Sequence, residues 1–152
     1  MSDPFQLISS TPRLGIPLLF AGQTQKEFYV NEAYALIDGL MHCAVEGISQ
    51  NPPASPVDGE AWLVDSTPGN SWVDHGGELA LFQGGNWLFV APSEGMTIYD
   101  KSTSQFVRYD GAWRKGAAIA LPQGGTTVDQ QARAAIAELV DALIEAGIVP
   151  AN

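Results

Sequence analysis

Residues 78–109 read ELALFQGGNWLFVAPSEGMTIYDKSTSQFVRY, and this stretch is the strongest indication of the fold class. Short runs rich in apolar and aromatic residues alternate in it with clusters of Gly, Asn, Ser and Pro. Turn signals recur about every 8–12 residues, a spacing that is typical of all-β units with short strands. The stretch therefore predicts a small antiparallel sheet or barrel.

Six short strands are predicted within this stretch and just before it. Their ranges are 60–65, 71–74, 78–83, 86–91, 96–100 and 105–109. A weak internal repeat accompanies them, because 82–87 and 109–113 each hold an aromatic residue, a Gly-containing turn and then a Trp. Each copy predicts a hairpin whose flanking aromatic residues pair across the two strands.

The N-terminal region predicts an extended segment followed by a helix. Pro12 and Pro17 exclude a helix there, because proline fixes the backbone and lacks an amide donor. A helical pattern then runs from Asn31, the predicted N-cap, to Gly47, the predicted stop.

A second helix is predicted near the C-terminus. Thr127 and Gln130 form a capping box, and the helix runs to about Ala146 with Gly147 after it. Its predicted oligomerisation residues are Ile136, Leu139, Val140 and Leu143. The helix either packs on its own domain or bundles with copies of itself, and the flexible Gly124-Gly125 joint before it favours bundling.

The fold class predicted is α+β, with an N-terminal extended segment and helix, a central Trp-rich antiparallel β domain and a C-terminal helix that either self-associates or packs on its own domain. The zones are 1–50, 51–116 and 117–152, and together they are expected to form one compact unit.

Charge and cysteine content limit the possible partners. The formal net charge is −10, so nucleic acid and anionic membrane surfaces are not expected to bind. Neutral glycans, basic surfaces and copies of the chain remain. There is one cysteine, Cys43, and neither a signal-peptide pattern nor a long apolar span, so we expect synthesis in a cytoplasm and no membrane insertion.

Catalytic and metal-binding patterns are weak. Cys43 directly follows His42, and adjacent helical residues point apart, so Cys43 is expected to be a small buried core residue. His75 sits in a predicted polar turn far from His42 in sequence. We therefore predict no enzymatic activity, no metal and no cofactor.

Aromatic residues are the best candidates for binding, because Trp and Tyr faces stack on sugar rings and anchor protein interfaces. The candidates in the β zone are Trp72, Trp87, Trp113, Tyr99 and Tyr109, and two or three of the four Trp are expected to be core. Arg108, Arg114 and Lys115 form a basic cluster that either meets an acidic patch on a neighbouring subunit or balances local charge.

The chain resembles a known family. The motifs that carry the resemblance are Pro-Arg-Leu-Gly-Ile-Pro at 12–17, Asn-Glu-Ala at 31–33, Pro-Pro-Ala-Ser-Pro at 52–56 and Gly-Asn-Trp at 85–87. They are similar to those of the domain-of-unknown-function 2793 proteins of tailed phages, prophages and gene transfer agents. The resemblance covers about residues 10–115. The last helix also resembles the terminal helix of phage head-fibre and tail proteins.

This resemblance implies a structural or adhesion subunit of a phage or gene-transfer-agent particle, acting as the base or adaptor of a spike or fibre. Its expected partners are copies of itself, with a trimer as the first expectation, and other particle proteins. Its expected location is the virion or phage-like particle, after synthesis in a bacterial cytoplasm. The alternative is a glycan-binding module that recognises host surface polysaccharide through exposed Trp and Tyr. The family implies no catalytic residues.

Overall fold

The computed structural model describes Leu18 and residues 26–151, so the predicted extended segment around Pro12 and Pro17 lies outside the described residues. Within the described part, two helices and eight strands confirm the predicted α+β class. The elements are α1 (Lys26–Leu40), β1 (Ala44–Val45), β2 (Ile48–Ser49), β3 (Ala61–Val64), a 3₁₀ turn (Asn70–Trp72), β4 (Leu79–Gln83), β5 (Asn86–Val90), β6 (Thr97–Asp100), β7 (Gln105–Tyr109), β8 (Trp113–Arg114) and α2 (Gln130–Glu145). Neither helix is long and apolar enough to cross a membrane.

The strands form two sheets of the same design. The first has the order β1-β6-β7-β8 and the second the order β2-β3-β4-β5. Each is a three-stranded antiparallel meander with a two-residue strand added in parallel to its first member. Only Glu46 and Gly47 separate β1 from β2, so one extended stretch joins the two sheets. The β part of the fold therefore begins at residue 44, before the predicted boundary at 51.

Both hairpins of the internal repeat are confirmed. In β4–β5, Phe82 pairs across the strands with Trp87, and their ring centroids lie 4.8 Å apart. In β7–β8, Tyr109 pairs with Trp113 at 5.3 Å. Gly84, with φ +57°, turns the first hairpin in a backbone conformation that glycine adopts without strain.

The main core lies between the two sheets and beneath α1. Its buried members are Cys43, Val45, Ala61, Leu63, Leu79, Leu81, Ile98 and Val107. Helix α1 adds Leu36 and Leu40 to this core. At Gly39 the helix lies so close to β4 that a Cβ atom would stand 2.5 Å from Leu81, so the position excludes larger residues. Burial of Cys43 in this core confirms its predicted packing role.

Three local predictions are wrong. Helix α1 begins at Lys26 and ends at Leu40, so Asn31 lies inside it and Gly47 lies well beyond it. The run 71–74 forms no strand, since Asn70 and Asp74 adopt positive φ and residues 70–72 wind into a 3₁₀ turn. Helix α2 is capped by Asp129 instead of Thr127, because its carboxylate accepts the backbone N–H groups of Gln131 and Ala132.

The end of α2 agrees with the prediction and ties the helix to the first sheet. Gly147 has φ +67° and follows the last helical turn. Its carbonyl accepts the Phe106 amide of β7 at 2.7 Å. The buried Gln105 side chain donates from Nε2 to the carbonyls of Gly116 at 2.8 Å and Ile148 at 3.3 Å. The helix is thus anchored at its C-terminal end.

Candidate functional site

The structure places the five predicted binding aromatics in three different environments. Trp72 is fully buried (0% exposed), so the prediction that it binds a ligand is wrong. It belongs to a second core with Val64 and Ala80 on the outer face of the second sheet. The long loop between β3 and β4 carries it there, because the indole offers a large apolar surface to bury.

Trp87 and Tyr99 are half-buried, and neighbouring rings already occupy part of their surfaces. Trp87 stands edge-on to Trp72 at 5.1 Å and also contacts Phe82. Tyr99 lies on the outer face of the first sheet, edge-on to Phe106 at 5.3 Å. These two candidates are therefore spread over opposite faces of the molecule and form no common site.

Tyr109 and Trp113, by contrast, line one open groove of about 680 Å³. This groove lies at the junction of the two sheets, and we call it the junction groove. It also contains Asp65, Glu78 and the backbone of the Gly76-Gly77 turn. Its volume lies within the range of small-molecule sites in proteins, about 300–1,000 Å³.

Strand pairing brings these distant residues together. Asp65 directly follows β3 and Glu78 directly precedes β4, and the two strands are antiparallel, so both residues lie at the same end of the second sheet. The β7–β8 hairpin of the first sheet forms the opposite wall. The Trp113 indole crosses the junction and donates its Nε1–H to the Gly77 carbonyl at 2.8 Å.

The carboxylates of Asp65 and Glu78 each have a partner within their own chain segment. Asp65 Oδ1 accepts the backbone amide of Thr67 at 2.9 Å and its hydroxyl at 3.0 Å, and these bonds hold the pKa of Asp65 below its ordinary value. Glu78 Oε2 lies 2.8 Å from Nδ1 of His75, whose ring stacks on Phe89 at 3.6 Å. The lining includes no Lys or Arg, so the groove is acidic.

The predicted basic cluster lies elsewhere, on the outer face of the first sheet. Arg108 and Arg114 both contact Asp110, at 2.7 and 3.0 Å. Lys115 reaches the buried Asp100 at 3.2 Å. These ion pairs compensate much of the local positive charge. Phe106 and Ile148 are exposed between the basic residues.

The predicted oligomerisation residues of α2 divide into exposed and buried members. Leu139 is 61% exposed and Ile136 40% exposed, while Leu143 is partly buried. Val140 is only 6% exposed in the single chain, so its assignment to the interface is corrected. It points to the inner side of the helix, about 100° from Leu139, where its own chain covers it.

The metal-ligating side chains of the described residues do not cluster. Among Leu18 and residues 26–151, no group of three or more His, Cys, Asp or Glu side chains is placed to hold a metal ion. His42 and Cys43 are consecutive residues just after α1, and Cys43 points into the core.

These features define a small two-sheet α+β domain with an acidic, aromatic groove and an anchored terminal helix. The chain belongs to the family described as Protein of unknown function (DUF2793), whose model matches residues 30–114, more than half of its length. The family resemblance predicted from the sequence motifs is thereby confirmed. No curated protein is similar enough to the chain to count as a match.

Proposed function

We propose that the chain is a non-catalytic structural and attachment subunit of a phage or gene-transfer-agent particle, where it serves as the base or adaptor of a spike or fibre. The observation that carries the proposal is the exposed apolar face of α2. Family membership supports the proposal only indirectly, because the proposal takes the particle role from the resemblance noted in the sequence motifs. Copies of the chain and other particle proteins are the expected partners.

The apolar face of α2 has the spacing of a helix–helix interface. Ile136, Leu139, Leu143 and Ala146 step by 3, 4 and 3 residues, and we call these four the assembly seam. A helix of 16 residues is about 24 Å long, at about 1.5 Å per residue. Two of its larger apolar side chains stay exposed in the single chain, which favours their burial against another molecule.

Charge on α2 is compatible with bundling of identical helices. Glu138, Asp141 and Glu145 lie on the opposite side of the helix from Ile136 and Leu143, about 140–200° away. Copies can therefore meet along the seam while their carboxylates remain in solvent. The anchored C-terminal end fixes where each helix leaves its β domain, and a trimer is the first expectation from the resemblance to fibre proteins.

The test is the solution mass by light scattering of the chain and of two double variants. Ile136→Glu with Leu139→Glu places two charges in the seam and is expected to give a monomer, whereas the unchanged chain is expected to be an oligomer. Gln130→Glu with Ala134→Glu adds the same two charges at exposed positions about 120–180° around α2 from Ile136 and Leu139, and should keep the oligomer. A monomeric unchanged chain that is also absent from purified particles removes the proposal.

A second candidate function is recognition of host surface polysaccharide. One specific observation favours it, namely that Tyr109 and Trp113 line an open groove together with two carboxylates. Aromatic faces stack on sugar rings, and carboxylates accept hydrogen bonds from their hydroxyl or amino groups. Attachment and glycan recognition are compatible in one subunit, since the groove and the assembly seam are built from different residues.

A further inference from the structure

Strand β5 (Asn86–Val90) forms one edge of the second sheet, since it pairs with β4 and with no other strand in the described part of the chain. The direction in which its backbone groups point follows from β4. The Phe82 N–H donates to the Glu60 carbonyl at 2.8 Å, so the backbone of Phe82 faces β3. Bonding direction alternates along an antiparallel strand, so Leu81 faces β5, where its partner is Leu88.

The backbone groups of Trp87 and Phe89 therefore point away from the sheet. Residues 86, 88 and 90 face β4, and the two residues between them carry their N–H donors and carbonyl acceptors on the open side. No residue that the structure describes forms a hydrogen bond with these four groups. A row of unpaired backbone groups of this kind is a template for pairing with another strand.

Strand β8 at the edge of the first sheet has features that prevent such pairing, whereas β5 does not. Strand β8 has two residues, and one of them is Arg114. Short edge strands and charged side chains both discourage pairing between molecules. Strand β5 has five residues and contains neither a charged residue nor a proline.

Charge favours a second copy of the chain as the partner of this edge. The chain has a net charge of −10, so two copies repel each other over most of their surfaces. Residues 79–93, which include β4 and β5, contain no charged side chain. Two copies can therefore pair along β5 without placing carboxylates opposite each other on the paired strands.

We propose that β5 pairs with β5 of a second copy, antiparallel and centred on Leu88, so that the second sheets of two copies form one sheet. In this register Trp87 of each copy stands opposite Phe89 of the other. Each such pair exchanges two backbone hydrogen bonds, so every unpartnered group of the edge is satisfied by a two-fold contact. Both rings already pack against the second core, and aromatic residues directly opposite each other stabilise the pairing of strands.

The contact is expected to be weak between free chains. One pair of five-residue strands is much smaller than a stable interface, which buries about 1,200–2,000 Å². We expect association in the millimolar range, which becomes effective where copies are already held close together. The inference does not rest on the assembly seam, whose residues lie on α2.

The test is amide hydrogen exchange by NMR, together with the solution mass, on the Ile136→Glu, Leu139→Glu double variant, in which contacts along the seam are removed. At micromolar concentration the Leu88 amide should exchange slowly and the Trp87 and Phe89 amides rapidly. At millimolar concentration the last two amides should become protected while the mass doubles.

Two further changes in this background separate the backbone from the side chain. Phe89→Pro removes the outward N–H, and Phe89→Ala is the matched control that removes the same side chain but keeps the N–H. Proline is tolerated in an edge strand where the missing N–H faces solvent, so both variants should fold. Phe89→Pro loses two of the four hydrogen bonds between the strands and should associate at least about tenfold more weakly than Phe89→Ala.

Three results would overturn the inference. The first is rapid exchange of the Trp87 and Phe89 amides even at millimolar concentration. The second is protection of both amides in a monomer, because the chain would then cover its own edge. The third is a dimer that Phe89→Pro and Phe89→Ala form equally well, which would place the contact on another surface. The exchange measurement needs no change in β5, so it decides the question even where a β5 variant does not fold.

Discussion

The two sheets have the same strand order, yet their outer faces differ completely. In the second sheet, β3 and β4 are joined by a loop of 14 residues, 65–78, which folds Trp72 over the outer face. In the first sheet, the equivalent strands β6 and β7 are joined by the four residues 101–104. Phe106 on that outer face remains 51% exposed. One sheet is thus covered on both sides and the other on one side only.

The two sheets share a strand order, so the difference between their outer faces comes from the lengths of the loops that join equivalent strands. The long β3–β4 loop makes a second aromatic core, and its last residues supply Gly77 and Glu78 to the junction groove. The short β6–β7 turn leaves a mixed basic and apolar surface in solvent. The predictions below test how far this division of roles holds.

The largest effect is expected from truncating the residue that covers the second sheet. Trp72→Ala should lower the free energy of unfolding by about 3–5 kcal/mol, because it removes a fully buried large side chain. Phe106→Ala, the matched change on the uncovered sheet, should cost below about 1 kcal/mol. Urea denaturation of both variants provides the measurement. Equal losses in the free energy of unfolding would mean that the two outer faces contribute equally to stability, which would contradict the difference between the sheets.

The strand sequences predict this difference in part. In β4 the residues Leu79, Ala80 and Leu81 are all buried, as expected of a continuous apolar run in a strand covered on both faces. In β7 buried Gln105 and Val107 alternate with exposed Phe106 and Arg108, the pattern of one-sided burial. The hairpins were equally predictable, because their turn and aromatic pairs are local in sequence.

Other parts of the fold were not predictable from local patterns. The strands β1 and β2 have two residues each, which is too short to show an alternating pattern. They also pair in parallel with strands that lie further along the chain, so the sequence does not predict them. Trp72 lies in the short run 71–74 that was predicted as a strand, but its burial depends on a sheet face formed by other segments. Tertiary packing there overrides the local propensity.

Only the aromatic half of the candidate site was predicted from the sequence. Tyr109 and Trp113 are among the predicted binding aromatics, whereas neither Asp65 nor Glu78 is among the predicted site residues. A signal did exist, because Asp65 ends one predicted strand, 60–65, and Glu78 opens another, 78–83. If those strands pair as antiparallel neighbours, the end of one lies beside the start of the other. The pairing itself could not be read from the sequence.

The next largest effect is expected at Asp100, which precedes the short turn 101–104 between β6 and β7 of the first sheet. Burial alone would raise the pKa of Asp100, but hydrogen bonds from Ser102, Lys115 and Thr103, with the charge of Lys115, outweigh it and hold the pKa below its ordinary value of 3.8. A carboxyl whose folded pKa is lowered adds stability that is complete well above pH 3.8 and is lost as the pH falls through the folded pKa.

Asp100→Asn should therefore destabilise the protein by about 1–2 kcal/mol near neutral pH and by less near pH 3. Urea denaturation at the two pH values gives the comparison. The control is Asp110→Asn, which removes an acceptor of two exposed arginines on the same sheet. If Asp100→Asn lowers the free energy of unfolding equally at both pH values, the ionised carboxylate does not stabilise the turn at residues 101–104.

The smallest effect is expected on the uncovered face. Replacing Arg108 and Arg114 together by Gln removes both ion pairs with Asp110, and exposed pairs contribute about 0–1 kcal/mol each. The double variant should therefore unfold within about 1 kcal/mol of the unchanged chain, with a difference that shrinks further in high salt. A surface that can lose two cations without harm to the fold is available for contacts with a neighbouring subunit. A loss above about 2 kcal/mol would instead make this cluster part of the folded framework, and both sheets would then need their outer faces for stability.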